Sequence, residues 1–205
     1  MANKDELENK SSIGSDAVKL TVSKIISLGI STITAMLLSR FRTLEEYGTY
    51  SQILLVVNLF TSIFMLGLPN SINYFLARAE AREEKKRFLS IYYTLSTFLS
   101  LIMGVTLVCA VPLIEKYFNN PNIRGFLYFL AIYPWASVIS SSVENVLIVF
   151  HKTKWLMVYR LLNSISLLGA VLIVQWKQGT FAEYMSVYLL VYVIFAVVVY
   201  FVVSY

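Results

Sequence analysis

The sequence predicts an all-α, polytopic membrane protein with six transmembrane helices. Three observations carry that prediction. Hydrophobic residues make up 58% of the chain and charged residues only 14%, whereas an ordinary soluble domain is roughly a quarter charged. The apolar residues are gathered into blocks long enough to cross a hydrocarbon core of about 30 Å. Those blocks lack the steady polar alternation of barrel strands, so helices are the form in which their backbone groups can pair inside a bilayer.

The elements follow in order. Residues 1–16 carry Lys4, Asp5, Glu6, Glu8, Lys10 and Asp16 and read as a cytoplasmic segment without the pattern of a cleaved signal. The first span covers residues 17–39 and is polar for a span. Its Ser23, Ser27, Ser31, Ala35 and Ser39 recur every four residues, which makes one small face suited to close helix packing or to a hydrated cavity. Arg40 to Tyr47 reads as a polar turn, and the second span covers residues 50–68. Gly67 and Pro69 interrupt it, with a helix able to resume after Pro69.

The charge run Arg78–Arg87 precedes a third span over residues 88–111, stopped by Pro112. A turn-rich link leads to a fourth span over residues 123–150, longer than a crossing needs and suggestive of tilt or of an interfacial first turn. After a short basic link come the fifth span, residues 155–176, and the sixth, residues 181–205. Tyr184 to Tyr205 carry no charge and no polar tail follows, so the chain reads as the first part of a longer protein.

Lysine and arginine favour the cytoplasmic side. With the N-terminus inside, twelve of the 17 fall inside and five (Arg40, Arg42, Lys116, Arg124 and Lys177) outside. This predicts a multi-pass protein of the cytoplasmic membrane. The net charge of +5 is explained by those loops, and a nucleic-acid partner is not expected.

No HExxH, CxxC, GxSxG or P-loop pattern occurs, so no enzyme constellation stands out. The lone cysteine, Cys109, precludes an internal disulfide and reads as a buried small hydrophobe. The lone histidine, His151, reads as an interfacial link residue. The chemistry that remains lies within the spans. Glu144 sits in span four, about 10 Å from the helix end at His151. A carboxylate there needs a cavity or a cationic partner such as Arg160 or Lys24. Lys24 and Arg160 sit near span ends and can face a cavity or reach headgroups. Asn163 and Ser166 share an edge of span five. Spans one, two, four and five thus have polar edges, while spans three and six read as packing or lipid-facing helices.

Two stretches carry more than composition. A helix ending in Arg40 is followed by Glu45, Glu46, Tyr47, Gly48 and Tyr50. Span two then ends in Gly67, Leu68 and Pro69, with Phe75, Leu76, Ala77 and Arg78 after it. Over residues 37–78 this resembles the N-terminal half of the polysaccharide biosynthesis and export family, the Wzx-type flippases of lipid-linked oligosaccharides within the wider MATE-like exporter group. Arg42 and Thr43 depart from the family's usual Leu-Gly at a surface turn.

The resemblance implies one six-helix lobe of a MATE-like transporter, the partner lobe being a C-terminal half of the same protein. Its substrate would be a polyprenyl-pyrophosphate-linked oligosaccharide, carried by rocking of the two lobes. It implies no cofactor, leaves coupling to Na+ or H+ open, and makes membrane lipids and a polysaccharide polymerase the further partners. Position within the spans makes Lys24, Arg160, Asn163 and, at the outer mouth, Arg40 candidates for the substrate pathway, with Glu144 balancing charge or coupling an ion. Tyr47, Gly48, Gly67 and Pro69 are expected to be structural. The competing readings are a multidrug exporter of the same fold, a non-transporting membrane subunit, and a membrane enzyme of lipid-linked sugar chemistry.

Overall fold

The computed structural model describes all residues except Met1, Leu66, Glu80 and Tyr205; the side chains of residues 2–13, 15, 16 and 202–204 are also outside the description. The charges of Lys4, Asp5, Glu6, Glu8, Lys10, Asp16 and Glu80 therefore lie outside the described residues. Everything else is helix and short connections, with no strand among the described residues. The helices are α1 (Ala2–Phe41), α2 (Leu44–Met65), a single turn α3 (Leu68–Ser71), α4 (Arg82–Phe118), α5 (Leu127–Val149), α6 (Thr153–Trp176) and α7 (Phe181–Ser204). A π-helical turn, Ile72–Leu76, continues α3, and a 3-10 turn, Pro121–Phe126, leads into α5. Six of these segments are long and apolar enough to cross a bilayer.

Several boundaries differ from the sequence reading, each for a local reason. Span two starts at Leu44 instead of residue 50, because Thr43 and Glu46 form a reciprocal cap. The Thr43 N–H donates to Glu46 Oε2 at 3.1 Å, and the Glu46 N–H donates to Thr43 Oγ1 at 3.2 Å. Two of the orphan amide donors of the helix start are thereby satisfied. The same device, Thr180 with Glu183, opens α7.

Pro112 does not stop span three: α4 runs on to Phe118 and ends at Asn119 in the left-handed region, φ 50°. Packing against neighbours can hold a helix through a proline when the bilayer offers its backbone no other partner. At its other end α4 includes most of the charge run, so Arg82–Arg87 form its first turns. Gly67 is a true break, with φ 82°, and Pro69 opens the helical turn that follows. Gly48, by contrast, lies inside α2 with open space beside it and no positive φ. Neither close approach nor backbone strain calls for glycine there. Tyr47 packs its ring 6.3 Å from that of Tyr50.

A close helix contact joins α4 to α5. A Cβ added at Gly104 would lie 2.5 Å from the Ala131 carbonyl oxygen, so only glycine permits this approach. Around it, α2, α4, α5 and α7 bury one continuous core. Tyrosines dominate its centre: Tyr50 meets Tyr184 and Tyr188 edge-on at 5.8 Å, and Tyr133 meets Tyr192 at 5.0 Å. Cys109 is exposed on the outer side of α4, not buried as the sequence suggested.

The connections gather at two ends. At one end Arg42 donates to the Gly179 carbonyl at 2.9 Å. Asn120 donates to Thr49 Oγ1 and Gln52 Oε1, each at 2.8 Å, and Asn122 to Glu45 at 2.6 Å. The α1–α2, α4–α5 and α6–α7 links therefore meet there. At the other end Lys85 approaches the Phe150 ring, and Asn145 reaches the Pro69 carbonyl. The α2–α4 and α5–α6 links meet there, as alternating crossings require.

Candidate functional site

A polar cavity of about 520 Å³ opens among α1, α2, α5 and α6, with Tyr192 closing it from α7. The chain builds it from stripes at helical spacing. On α1, Lys24, Ser27, Leu28 and Ser31 fall on one face. On α5, Tyr133, Ser137, Ser141 and Glu144 follow one another by four, four and three residues. On α6, Arg160, Asn163 and Ser164 face inward, and α2 contributes Asn58 and Thr61. The four-residue stripe of α1 divides along its length: Ser23 is buried, whereas Ser27 and Ser31 line the cavity.

The charged centre is a pair. Arg160 Nε donates to Glu144 Oε1 and Nη2 to Glu144 Oε2, both at 2.8 Å, a bidentate fork that fixes the planes of the two groups. A third donor, Nη1, reaches the Leu20 carbonyl of α1 at 3.4 Å. Arg160 thus ties α6 to both α5 and α1. Its side chain is 13% exposed and that of Glu144 40%, so the carboxylate has the better access to water. Lys24 is exposed on the cavity wall and makes no ion pair among the described residues. Below the pair, Tyr159 donates to the Ser140 carbonyl at 2.8 Å.

Four of the five candidate pathway residues, Lys24, Glu144, Arg160 and Asn163, are brought together here. Arg40 is not: it lies exposed in the last turn of α1, sixteen residues and about 24 Å of helix beyond Lys24. Ser166 does not line the cavity, and Ser164 takes the place expected of it. The sequence reading missed Tyr133, Tyr159 and Tyr192, because a tyrosine in a span looks like packing. It also missed Ser137 and Ser141, although their spacing to Glu144 was visible. Among the described residues no group of three His, Cys, Asp or Glu side chains lies close enough to hold a metal ion.

The family described as Polysaccharide biosynthesis protein matches residues 13–205, nearly the whole chain. The chain belongs to this family. It is accordingly a multi-pass membrane protein with a place in polysaccharide biosynthesis and transport. No curated protein and no solved structure matches it. The polar cavity is therefore the feature through which this family member has to be read. It joins a guanidinium, an ammonium and a carboxylate to hydroxyls, amides and three tyrosines, so it offers charged and hydrogen-bonding partners beside its apolar surface.

Proposed function

We propose that residues 17–205 form one lobe of a flippase that moves polyprenyl-pyrophosphate-linked oligosaccharide units across the cytoplasmic membrane, with residues 1–16 on the cytoplasmic side. The observation that carries this reading is the charge of the cavity. Arg160 and Lys24 stand against Glu144 alone, leaving an excess of one positive charge. A pyrophosphate fits that excess, since guanidinium and ammonium groups are its natural donors. Tyr133, Tyr159 and Tyr192, with Asn58, Asn163 and the serines, supply ring faces and hydrogen-bonding groups suited to sugar. A multidrug exporter carrying lipophilic cations would want the opposite balance.

In this reading the cavity opens toward a second lobe, and the cleft between the two is the translocation path. The pyrophosphate displaces the Glu144 carboxylate from Arg160, or shares the guanidinium with it, while Lys24 neutralises the second phosphate. The lipid tail stays in the bilayer, and the lobes rock about the bound head. The chain is a transporter, not an enzyme, with its N-terminus inside, and it hands its cargo to a polymerase on the outer side. The charge asymmetry between the two ends of the bundle supports that orientation. Coupling to Na+ or H+ would act through Glu144, the one carboxylate lining the cavity among the described residues.

The test is a flipping assay with the complete transporter in vesicles, using a fluorescent polyprenyl-pyrophosphate oligosaccharide and a membrane-impermeant quencher. The reading expects protein-dependent loss of quencher-accessible signal, reduced tenfold or more in Lys24→Ala and Arg160→Ala. Transport of lipophilic cations with no movement of the lipid-linked glycan would overturn it in favour of the multidrug reading.

A further inference from the structure

On the far side of α5 and α6 from the polar cavity lies a second concavity, of about 690 Å³. The two adjoin at Tyr159, which borders both, and otherwise face different sides of α6. On α6, Trp155, Val158 and Leu162 line the second one, nearly half a turn round the helix from Arg160 and Ser164. Its walls are aliphatic and aromatic side chains of α5, α6 and α7, with Tyr93 of α4 among them. It lies on the outside of membrane-crossing helices, where an acyl chain can enter it. Its size suits a ligand, being within the usual range of roughly 300–1,000 Å³.

One end of the groove differs from the rest. Lys152 lies there, exposed, in the turn between α5 and α6, and makes no ion pair among the described residues. Trp155 stands beside it, largely exposed. Lys85 comes within 5.9 Å of the Phe150 ring, two residues from Lys152. An indole at the boundary with an ammonium next to it is the pattern of a headgroup-level anchor, and a lysine can lay its stem along apolar surface while its charge reaches out. The charge selects among lipids, because a zwitterionic headgroup gains little from it and an anionic one gains much.

We propose that this groove is a binding site for an anionic phospholipid, with one acyl chain seated between α5, α6 and α7 and its phosphate on Lys152. The groove is distinct from the cavity assigned to cargo, and the proposal does not depend on what that cargo is. Its occupant would brace the two helices that carry Glu144 and Arg160.

The test uses fluorescence of the full chain in vesicles. Trp135→Phe and Trp176→Phe leave Trp155 as the sole tryptophan. Brominated phosphatidylglycerol and brominated phosphatidylcholine are then titrated as quenchers. The proposal expects half-quenching at a mole fraction about fivefold lower for the anionic lipid. Lys152→Gln should abolish the difference and Lys152→Arg retain it. Val198→Phe, which fills the groove from an exposed position, should weaken quenching by both lipids. Equal titrations with the two lipids at unaltered Lys152 would overturn the proposal, since they would mean bulk contact only. Displacement of the brominated lipid by polyprenyl phosphate, at mole fractions where plain phosphatidylglycerol does not displace it, would assign the groove to an isoprenoid chain and overturn it too.

Discussion

The two ends of the bundle are built by different rules. The end holding the α1–α2, α4–α5 and α6–α7 links is closed: Arg42, Asn120 and Asn122 stitch three connections together, and a plug of tyrosines and phenylalanines fills the space behind them. The end holding the α2–α4 and α5–α6 links has a second buried cluster, and among the described residues Asn145 reaches across to the Pro69 carbonyl there. The Glu144–Arg160 pair of the polar cavity lies toward this end, near the end of α5 and the start of α6. The difference teaches where this lobe can be wet. Water and a charged solute have polar partners in the cavity, whereas the aromatic core at the closed end offers them little room and few acceptors.

The comparison can be broken most sharply at the ion pair. Glu144→Ala should abolish transport and also lower stability by about 2–3 kcal/mol, because the mostly buried Arg160 guanidinium is left without its partner. Arg160→Ala should likewise abolish transport but cost about 1 kcal/mol or less, since the freed carboxylate is 40% exposed and can hydrate. Thermal unfolding in detergent beside the flipping assay checks the asymmetry. Equal losses of stability would mean that both groups are equally desolvated.

A packing change in the middle of the bundle comes next. Gly104→Leu puts a side chain against the Ala131 backbone, which cannot yield as a side chain could. It should cost about 2 kcal/mol by overpacking, read as a lowered melting temperature. Gly48→Ala, in open space on α2, should leave stability unchanged or slightly raised.

A smaller loss than at Gly104 is expected at the closed end. Asn120→Ala removes two hydrogen bonds to α2 and should cost about 1 kcal/mol, with substrate binding in the cavity unaffected. Weakened binding in that variant would show that the ends are coupled.

How far the sequence could be read depends on the same physics. The apolar blocks gave the six long helices, because hydrocarbon leaves a chain few other solutions. Lys24, Glu144, Arg160 and Asn163 were legible as a group, because charge inside a span needs a reason. The boundaries were less legible. Thr43 with Glu46 caps a helix where a polar turn was expected, and tertiary packing carries α4 past Pro112. Arg40, expected at an outer mouth from its place at the end of span one, lies apart from the cavity because the same helix carries it about 24 Å beyond Lys24. The cavity tyrosines were hidden because one residue type serves both places: Tyr184 and Tyr188 belong to the core alone, whereas Tyr133 is a core residue that also borders the cavity.

The central claim, a cavity that is aqueous on one side and sealed behind by aromatic packing, is tested most directly by thiol accessibility. Lys24→Cys, Asn163→Cys and Tyr188→Cys would each be made singly in a Cys109→Ala background and treated with a small membrane-impermeant thiol reagent from the cytoplasmic side. The account predicts rapid labelling at positions 24 and 163, slowed by the lipid-linked glycan, and none at 188. Absence of labelling at 24 and 163 in a folded protein, or equal labelling at all three positions, would contradict it.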